Sequence, residues 1–245
     1  MTTHPNYAFP PLVVEVRGEY ACFTRPELKA ERFSYEVITP SAARGILEAI
    51  SWKPGFEYVI TKIDVLEPIR WFSIRRNEVK SIATDDWVRS AMADPGRHLD
   101  AEAERDQRNT VALRDVAYRI YAQVKLLPGT HGTEVKYREQ FRRRVDRGAC
   151  FSQPFLGCRE FSATFGKPTS QRPIRGRDVH KELGVMLHRI RYHADGNETY
   201  DWFHAALDHG TLHVPPHGIE LPSARPSASR TQHHSTGRDR RETRC

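Results

Sequence analysis

The sequence predicts an α+β domain of the split βαβ, ferredoxin-like kind, and three observations predict it. Apolar residues alternate at strand period in several separate runs, and two other runs carry helical spacing instead. Written out, the order is β-α-β-β, an insertion, then β-α-β-β. Helices that fall between strands, with hairpin-like strand pairs beside them, belong to that architecture.

The first strand is expected at 12–16 (LVVEV) and ends at Arg17-Gly18. A loop with Phe23, Arg25, Pro26 and Lys29 leads to Thr39, an N-cap residue, and Pro40, suited to the first helical position where its missing N–H is no loss. Ala43, Ile46, Leu47 and Ile50 then recur on one face, so 41–52 is an amphipathic helix that Pro54 stops. Residues 58–66 alternate as a strand, Pro68 interrupts, and 69–74 is a second strand closing in Arg75-Arg76-Asn77-Glu78. The acidic, glycine- and proline-interrupted stretch 85–107 is expected as an irregular excursion. Strand period returns at 115–124, where Val116, Tyr118, Ile120, Ala122 and Val124 share a face. A two-glycine loop, 128–133, precedes a basic helix held by Phe141 and Val145 and closed by Gly148. Residues 155–165 and 183–192 are further strands, and 201–209 is a short helix ahead of Gly210.

Composition narrows the class. No run of eighteen apolar residues occurs, the N-terminus lacks a basic, cleavable leader, and Cys22, Cys150, Cys158 and Cys245 form no CxxC pair. These features point to a chain without membrane spans, kept reduced in the cytoplasm. The net charge of +7 is uneven: 223–245 holds six arginines and two acids, leaving +3 for everything else. That end has almost no apolar residues to offset the entropy of ordering, so it is expected as a disordered basic tail.

Local charge is more telling. Lys136, Arg138, Arg142, Arg143, Arg144 and Arg147 face only Glu139 and Asp146 within KYREQFRRRVDR. Successive side chains on a helix step by about 100°, so three consecutive arginines cannot share one narrow face. The helix is either solvated and weakly paired or a grip on phosphates, and the cation excess favours the grip. Arg75 and Arg76, with Arg105 and Arg108, either pair with Glu78 and Asp106 or extend the same groove. Phe23, Trp52 and Tyr137 sit beside cations as base-stacking rings of single-stranded RNA binders do, whereas Trp71 and Phe72 read as core. Twelve histidines include no HxxxH or HxH pair on a helix with an acidic partner, so no metal site is expected. His131, between Gly129 and Gly132, lies nearest Lys136 in sequence. Walker, GxGxxG, GxSxG and HExxH patterns are all missing, which leaves nucleotide hydrolysis, dinucleotide chemistry and serine hydrolysis unsupported.

Four blocks carry a resemblance: GEYACFTRPELKAERFSYEVITPSAARGILEAISWKP, PIRWFSIRRNEV, QRNTVALRDVAY and FSQPFLGCREF, in that order. Together they resemble the fifth family of CRISPR-associated proteins, subtype I-C (Dvulg type), specifically over 13–165 and more loosely to 216. The resemblance implies membership of the RAMP superfamily. That means a ferredoxin-like, RRM-related domain (12–165) behind an N-terminal arm (1–11), then a β-rich C-terminal part (166–222) and the tail (223–245). It also implies an endoribonuclease that cuts the CRISPR repeat transcript and stays on the 5′ handle of the crRNA in the Cascade complex. Its partners there are a backbone (seventh-family) subunit and a large (eighth-family) subunit, with target DNA met through the complex. The implied cut needs no metal or other cofactor: the ribose 2′-OH attacks the neighbouring phosphate, leaving a cyclic phosphate and a free 5′-OH.

Members of the family place a Lys-His pair before the basic helix and, in some, an aromatic or histidine before Trp-Lys-Pro. The lysine matches Lys136; Tyr137 stands where the histidine is expected and Ser51 precedes Trp52-Lys53-Pro54. An ordinary phenol, with a pKa of about 10, is almost wholly protonated at neutral pH, so a tyrosine serves as donor more readily than as base. The catalytic candidates are therefore Lys136, Tyr137, Ser51 and His131. The RNA-binding candidates are Arg25, Lys29, Arg44, Trp52, Arg75, Arg76, Arg108, Arg138, Arg142, Arg143 and Arg144. Two alternatives stand beside this reading: a non-catalytic 5′-handle scaffold, and a general basic nucleic-acid binder.

Overall fold

A computed structural model describes residues 5–28, 31–94, 96–174, 180–193 and 195–220. Lys29 and the expected basic tail at 223–245 lie outside the described residues. The described residues form one antiparallel sheet of nine strands with three helices, a mixed architecture with few helices. In chain order the elements are β1 (Leu12–Ala21), α1 (Pro40–Ile50), β2 (Phe56–Val65), β3 (Trp71–Val79), α2 (Asp85–Ala93), β4 (Arg105–Leu126), α3 (Glu134–Arg147), β5 (Thr164–Gly166), β6 (Lys181–Tyr192), β7 (Glu198–Asp208), β8 (Thr211–His213) and β9 (Ile219–Glu220).

The sheet runs β5-β1-β4-β2-β8-β7-β6, with β3 paired to β4 and β9 to β7. The 22-residue β4 organises it. Its first half, Arg105 to Leu113, pairs with β3, and its second, Tyr118 to Leu126, with β2. At the handover Asp115 takes φ 52° and its carboxylate meets Arg70 at 3.3 Å. Aspartate tolerates this left-handed geometry better than most residues, which lets the strand turn from one partner to the other.

The core lies where α1 and α3 cover the sheet. Ala43, Ile46, Leu47 and Ile50 of α1 and Phe141 and Val145 of α3 are buried against Val14, Val16, Tyr58, Ile60, Ile63 and Ile120. Thr39 caps α1 by accepting the Ala42 N–H at 3.1 Å, with Pro40 opening the helix as expected. Gly148 ends α3 in the left-handed conformation, φ 62°. Beneath the sheet's other side Arg119 binds the buried carboxylate of Glu15 at 2.5 Å, and Glu15 also accepts from Thr169. No helix among the described residues is long and apolar enough to cross a membrane.

Three expectations are corrected. Residues 201–209, expected as a helix, lie mostly in strand β7: Asp201, Phe203, Ala205 and Leu207 alternate into the interior while the strand pairs with β6. Pairing and a buried face override the helical preference of the alanines and leucine. The excursion at 85–107 contains α2, capped by Thr84 through the Trp87 N–H, and the first residues of β4. Finally, 155–165 is mostly turns with a single Phe155–Ser162 bridge, and only Thr164–Gly166 joins the sheet.

Candidate functional site

Beyond the end of β4 the chain makes the 128–133 loop and enters α3, and beside it α1 hands over to β2 through 51–55. Between these segments lies an open concavity of about 590 Å³, lined among others by Lys53, His131, Lys136, Tyr137 and Gln140. Its geometry is set from the backbone outwards. Thr133 is the N-cap of α3, and its Oγ1 accepts the Lys136 N–H at 3.3 Å, which places Lys136 in the first helical turn. Thr130 donates to Gly55 O at 2.6 Å, and the Leu127 N–H donates to the same oxygen at 3.0 Å, pinning the loop to the 51–55 turn.

The Tyr137 ring rests on Phe56 with centroids 4.6 Å apart, and Phe56, Tyr58 and Phe141 continue the aromatic stack into the core. Its hydroxyl lies between two glycines. A Cβ on Gly132 would stand 2.3 Å from it, and one on Gly55 2.7 Å, so both positions are kept bare for the phenol. Among the described residues the hydroxyl has no hydrogen-bond partner, and Lys53, Lys136 and His131 are exposed without an acidic partner. Two ammonium groups and the positive end of a 14-residue helix converge on one open space. That field attracts an anion such as phosphate. A phenol and an imidazole stand at its edge.

Ser51 does not join this group. It is 3% exposed, ends α1 by donating its N–H to Leu47 O, and accepts the Tyr58 hydroxyl at 2.8 Å through its own carbonyl. Trp52, next in sequence, is half exposed and immediately precedes Lys53, which lines the concavity.

The arginines divide sharply. Arg138 is 1% exposed and bonds Gln123 Oε1 at 3.0 Å, Glu134 Oε1 at 3.1 Å and the carbonyl of Pro10. It is a structural tie between α3, β4 and the N-terminal arm, so its expected place in the phosphate grip is corrected. It shares the 134/138/141/145 face that turns towards the sheet. Arg144 is likewise half buried and donates to Ile50 O at 2.7 Å, stitching α3 to the end of α1. Arg142 pairs with Glu139 at 2.6 Å. Arg143 is exposed with no acidic partner among the described residues, as is Arg147.

Elsewhere, Arg75 bonds Asn109 at 3.4 Å, Arg76 pairs with Glu160, and Arg108 meets Glu78 at 3.5 Å and Asp106 at 3.1 Å. These side chains belong to the β3–β4 hairpin, at the opposite end of β4 from the concavity; the carboxylate-pairing alternative describes Arg76 and Arg108, whereas Arg75, among the described residues, meets only an amide oxygen. Arg25 stacks over Tyr35 at 4.6 Å and approaches Glu27 at 3.8 Å. Arg44 lines a different cavity. The structure thus brings Lys136, Tyr137 and His131 together, puts Trp52 nearby, and separates the rest. Lys53 and Gln140 are additions that sequence reasoning passed over. Gln140 was within reach, standing one helical turn after Lys136 on the same exposed face.

A family profile described as CRISPR-associated protein (Cas_Cas5) matches residues 11–215. A curated relative from Mannheimia succiniciproducens, named CRISPR pre-crRNA endoribonuclease Cas5d, is 43% identical over 213 residues, covering 83% of this chain and 94% of its own. A relative of the same name from Thermus thermophilus is 39% identical over 226 residues, covering 83% and 91%. Among solved structures, one described as a CRISPR-associated protein superposes with a TM-score of 0.59 at 20% identity, covering 83% of this chain and 90% of the other. A functionally uncharacterized protein from Streptococcus mutans gives 0.58 at 21%, covering 83% and 91%. These two likenesses describe the fold.

Proposed function

The chain belongs to the Cas5 family of CRISPR-associated proteins, and from that premise we propose that it is a pre-crRNA endoribonuclease whose cutting site is the Lys136–Tyr137 concavity. The observation that carries the assignment is the convergence of Lys136, Lys53, Tyr137 and His131 on one open space at a helix N-terminus.

RNA cleavage by the 2′-OH needs a proton acceptor, a proton donor and positive charge at the pentavalent phosphorane. In the cut, a bond forms between the ribose O2′ and phosphorus while the P–O5′ bond breaks, leaving a 2′,3′-cyclic phosphate and a 5′-OH. His131, on its glycine-flanked loop, takes the 2′-OH proton. The Tyr137 hydroxyl, which has no protein partner among the described residues, donates to the departing O5′. Lys136 and Lys53 neutralise the phosphorane, helped by the N–H groups at the start of α3. Ser51 takes no part. Arg143 and Arg147 hold phosphates along the exposed face of α3, and Trp52 stacks a base at the rim.

The order β5-β1-β4-β2, with α1 and α3 in the two crossovers, supports reading 12–165 as a ferredoxin-like, RRM-related RAMP domain and 166–222 as its β-rich C-terminal part. After the cut the protein stays on the crRNA 5′ handle in the cytoplasm. There it is a Cascade subunit beside the seventh- and eighth-family subunits, and target DNA is met through the complex.

The test is incubation of the purified protein with its repeat RNA in EDTA. A single cut with a cyclic-phosphate end is expected. Removing the Lys136 cation as Lys136→Ala is expected to slow it about 10²- to 10³-fold. Intact RNA held in a tight complex by the wild-type protein would instead make the chain a non-catalytic handle-binding scaffold.

A further inference from the structure

A second cavity, of about 350 Å³, opens between α1, β2 and β6, closed on one side by 214–218. It shares no lining residue with the cutting concavity but adjoins it along the chain. Glu57 and Lys125 line the cavity, while Gly55 and Pro128, two and three residues away, line the concavity.

Its charges do not balance. Lys125 and Arg189 both engage Glu57, at 3.1 and 3.0 Å, and Arg191 grips Asp201 through two nitrogens at 2.7–2.9 Å. Both acids of the lining are thereby used. Arg44, half buried in α1, is left over: among the described residues its guanidinium has neither a hydrogen-bond acceptor nor an acid within ion-pair distance, and its Nε is cut off from solvent. Burial and the nearby charge of Arg189 both disfavour its charged form and pull its pKa down.

His188, which also lines the cavity, carries a second unsatisfied group, sealed from solvent. His188 Nε2 lies 2.9 Å from Pro215 O, so that nitrogen carries the proton and Nδ1 is an acceptor; Nδ1 is buried and has no donor. Buried polar groups without partners are rare in native proteins, and each asks for a reason. Here a lone donor fork and a lone acceptor belong to residues that line the same cavity.

We propose that this cavity is a second RNA subsite that holds one nucleotide of the repeat, its phosphate on Arg44 and Arg189. The inference rests on the reading of the chain as a repeat-RNA nuclease and adds where a neighbouring nucleotide is gripped. A guanidinium fork matches phosphate oxygens, and the cavity's place beside the cutting concavity along the chain makes the repeat RNA the source of that phosphate. The volume falls in the range of small-ligand pockets, about 300–1,000 Å³, and Pro40, Val59 and Pro216 give a sugar and base apolar contact.

Arg44→Met keeps the stem and deletes the charge. Binding of the transcribed repeat RNA is measured across 50–300 mM salt, with thermal denaturation of the same samples. Arg44→Met is expected to weaken binding about tenfold at 100 mM salt. It should also lower the slope of log K against log[salt] by about 0.7, the value for one phosphate of a single strand, with no loss of melting temperature. Unchanged affinity and slope, or weaker binding at an unchanged slope, would overturn the subsite. Should Arg44→Met fail to fold, Val59→Trp, which fills the cavity without touching a charge, is expected to weaken binding, and wild-type affinity would overturn the proposal. A wild-type protein that neither binds nor cuts the repeat removes the functional reading and the subsite together. One that cuts, paired with an Arg44→Met variant that binds normally, removes only the subsite.

Discussion

At the residue scale, the account turns on a phenol that the fold supports on three sides and leaves chemically unspent. Phe56 holds the Tyr137 ring, Gly55 and Gly132 make room for its hydroxyl, and no described residue bonds that hydroxyl. Tyr137→Phe is therefore expected to leave the melting temperature unchanged and to reduce cleavage about 10²-fold, the low end for loss of a general acid. Restoring histidine as Tyr137→His keeps a donor at the same place and should cut at least as fast as the wild type. Gly132→Ala makes the complementary case: its Cβ would collide with the phenol, so cleavage should fall while RNA affinity persists. Lys136 and Tyr137 were legible in the sequence, because their place before the basic helix matches a family pattern. The two glycines were visible only as loop residues. Nothing in a one-dimensional string says that Gly132 sits against a ring five residues on, or that Gly55 meets the same phenol from far back in the chain.

At the scale of elements, α3 separates two kinds of arginine that the sequence presents as one cluster. Arg138 is interior and ties three segments together, whereas Arg143 is exposed and unpaired among the described residues. Arg138→Met leaves buried acceptors unsatisfied and is expected to cost about 3 kcal/mol of stability, read by denaturant unfolding, with an unchanged salt slope of RNA binding. Arg143→Ala should do the reverse, lowering the salt slope by about 0.7 and leaving stability within about 0.5 kcal/mol. Helical periodicity already carried this distinction, since 134, 138, 141 and 145 repeat at spacings of four, three and four. Counting charges obscured it. The error at 201–209 had another origin: its apolar residues fit strand period equally well, and only pairing with β6, where Asp201 meets Arg189 and Leu207 meets Lys181, decides between the two.

At the scale of the molecule, β4 spans the sheet with the arginine-rich hairpin at one end and the concavity at the other. The strand order was not readable from the sequence, because long-range pairing leaves no local mark beyond alternation. The Glu15–Arg119 pair, which joins β1 to β4 and holds Thr169, was equally hidden: both residues sit in alternating strands where a charge reads as solvent-facing. Although burial pushes the Glu15 carboxyl up, bonds from Arg119 and Thr169 outweigh it and hold its pKa below the ordinary value. A depressed folded-state pKa stabilises above the unfolded value, about 4.3, and that stability fades as pH falls through the folded value. Glu15→Gln should thus melt earlier than the wild type at pH 7, with the gap closing below about pH 4.

The central claim, that the head of α3 cuts RNA, is tested most directly by the ends of the RNA that the wild-type protein and Lys136→Ala leave after incubation with the repeat in EDTA. One 2′,3′-cyclic phosphate and one 5′-OH from the wild type, with uncut but bound RNA from the variant, is the predicted result. Equal cutting by both proteins would contradict it.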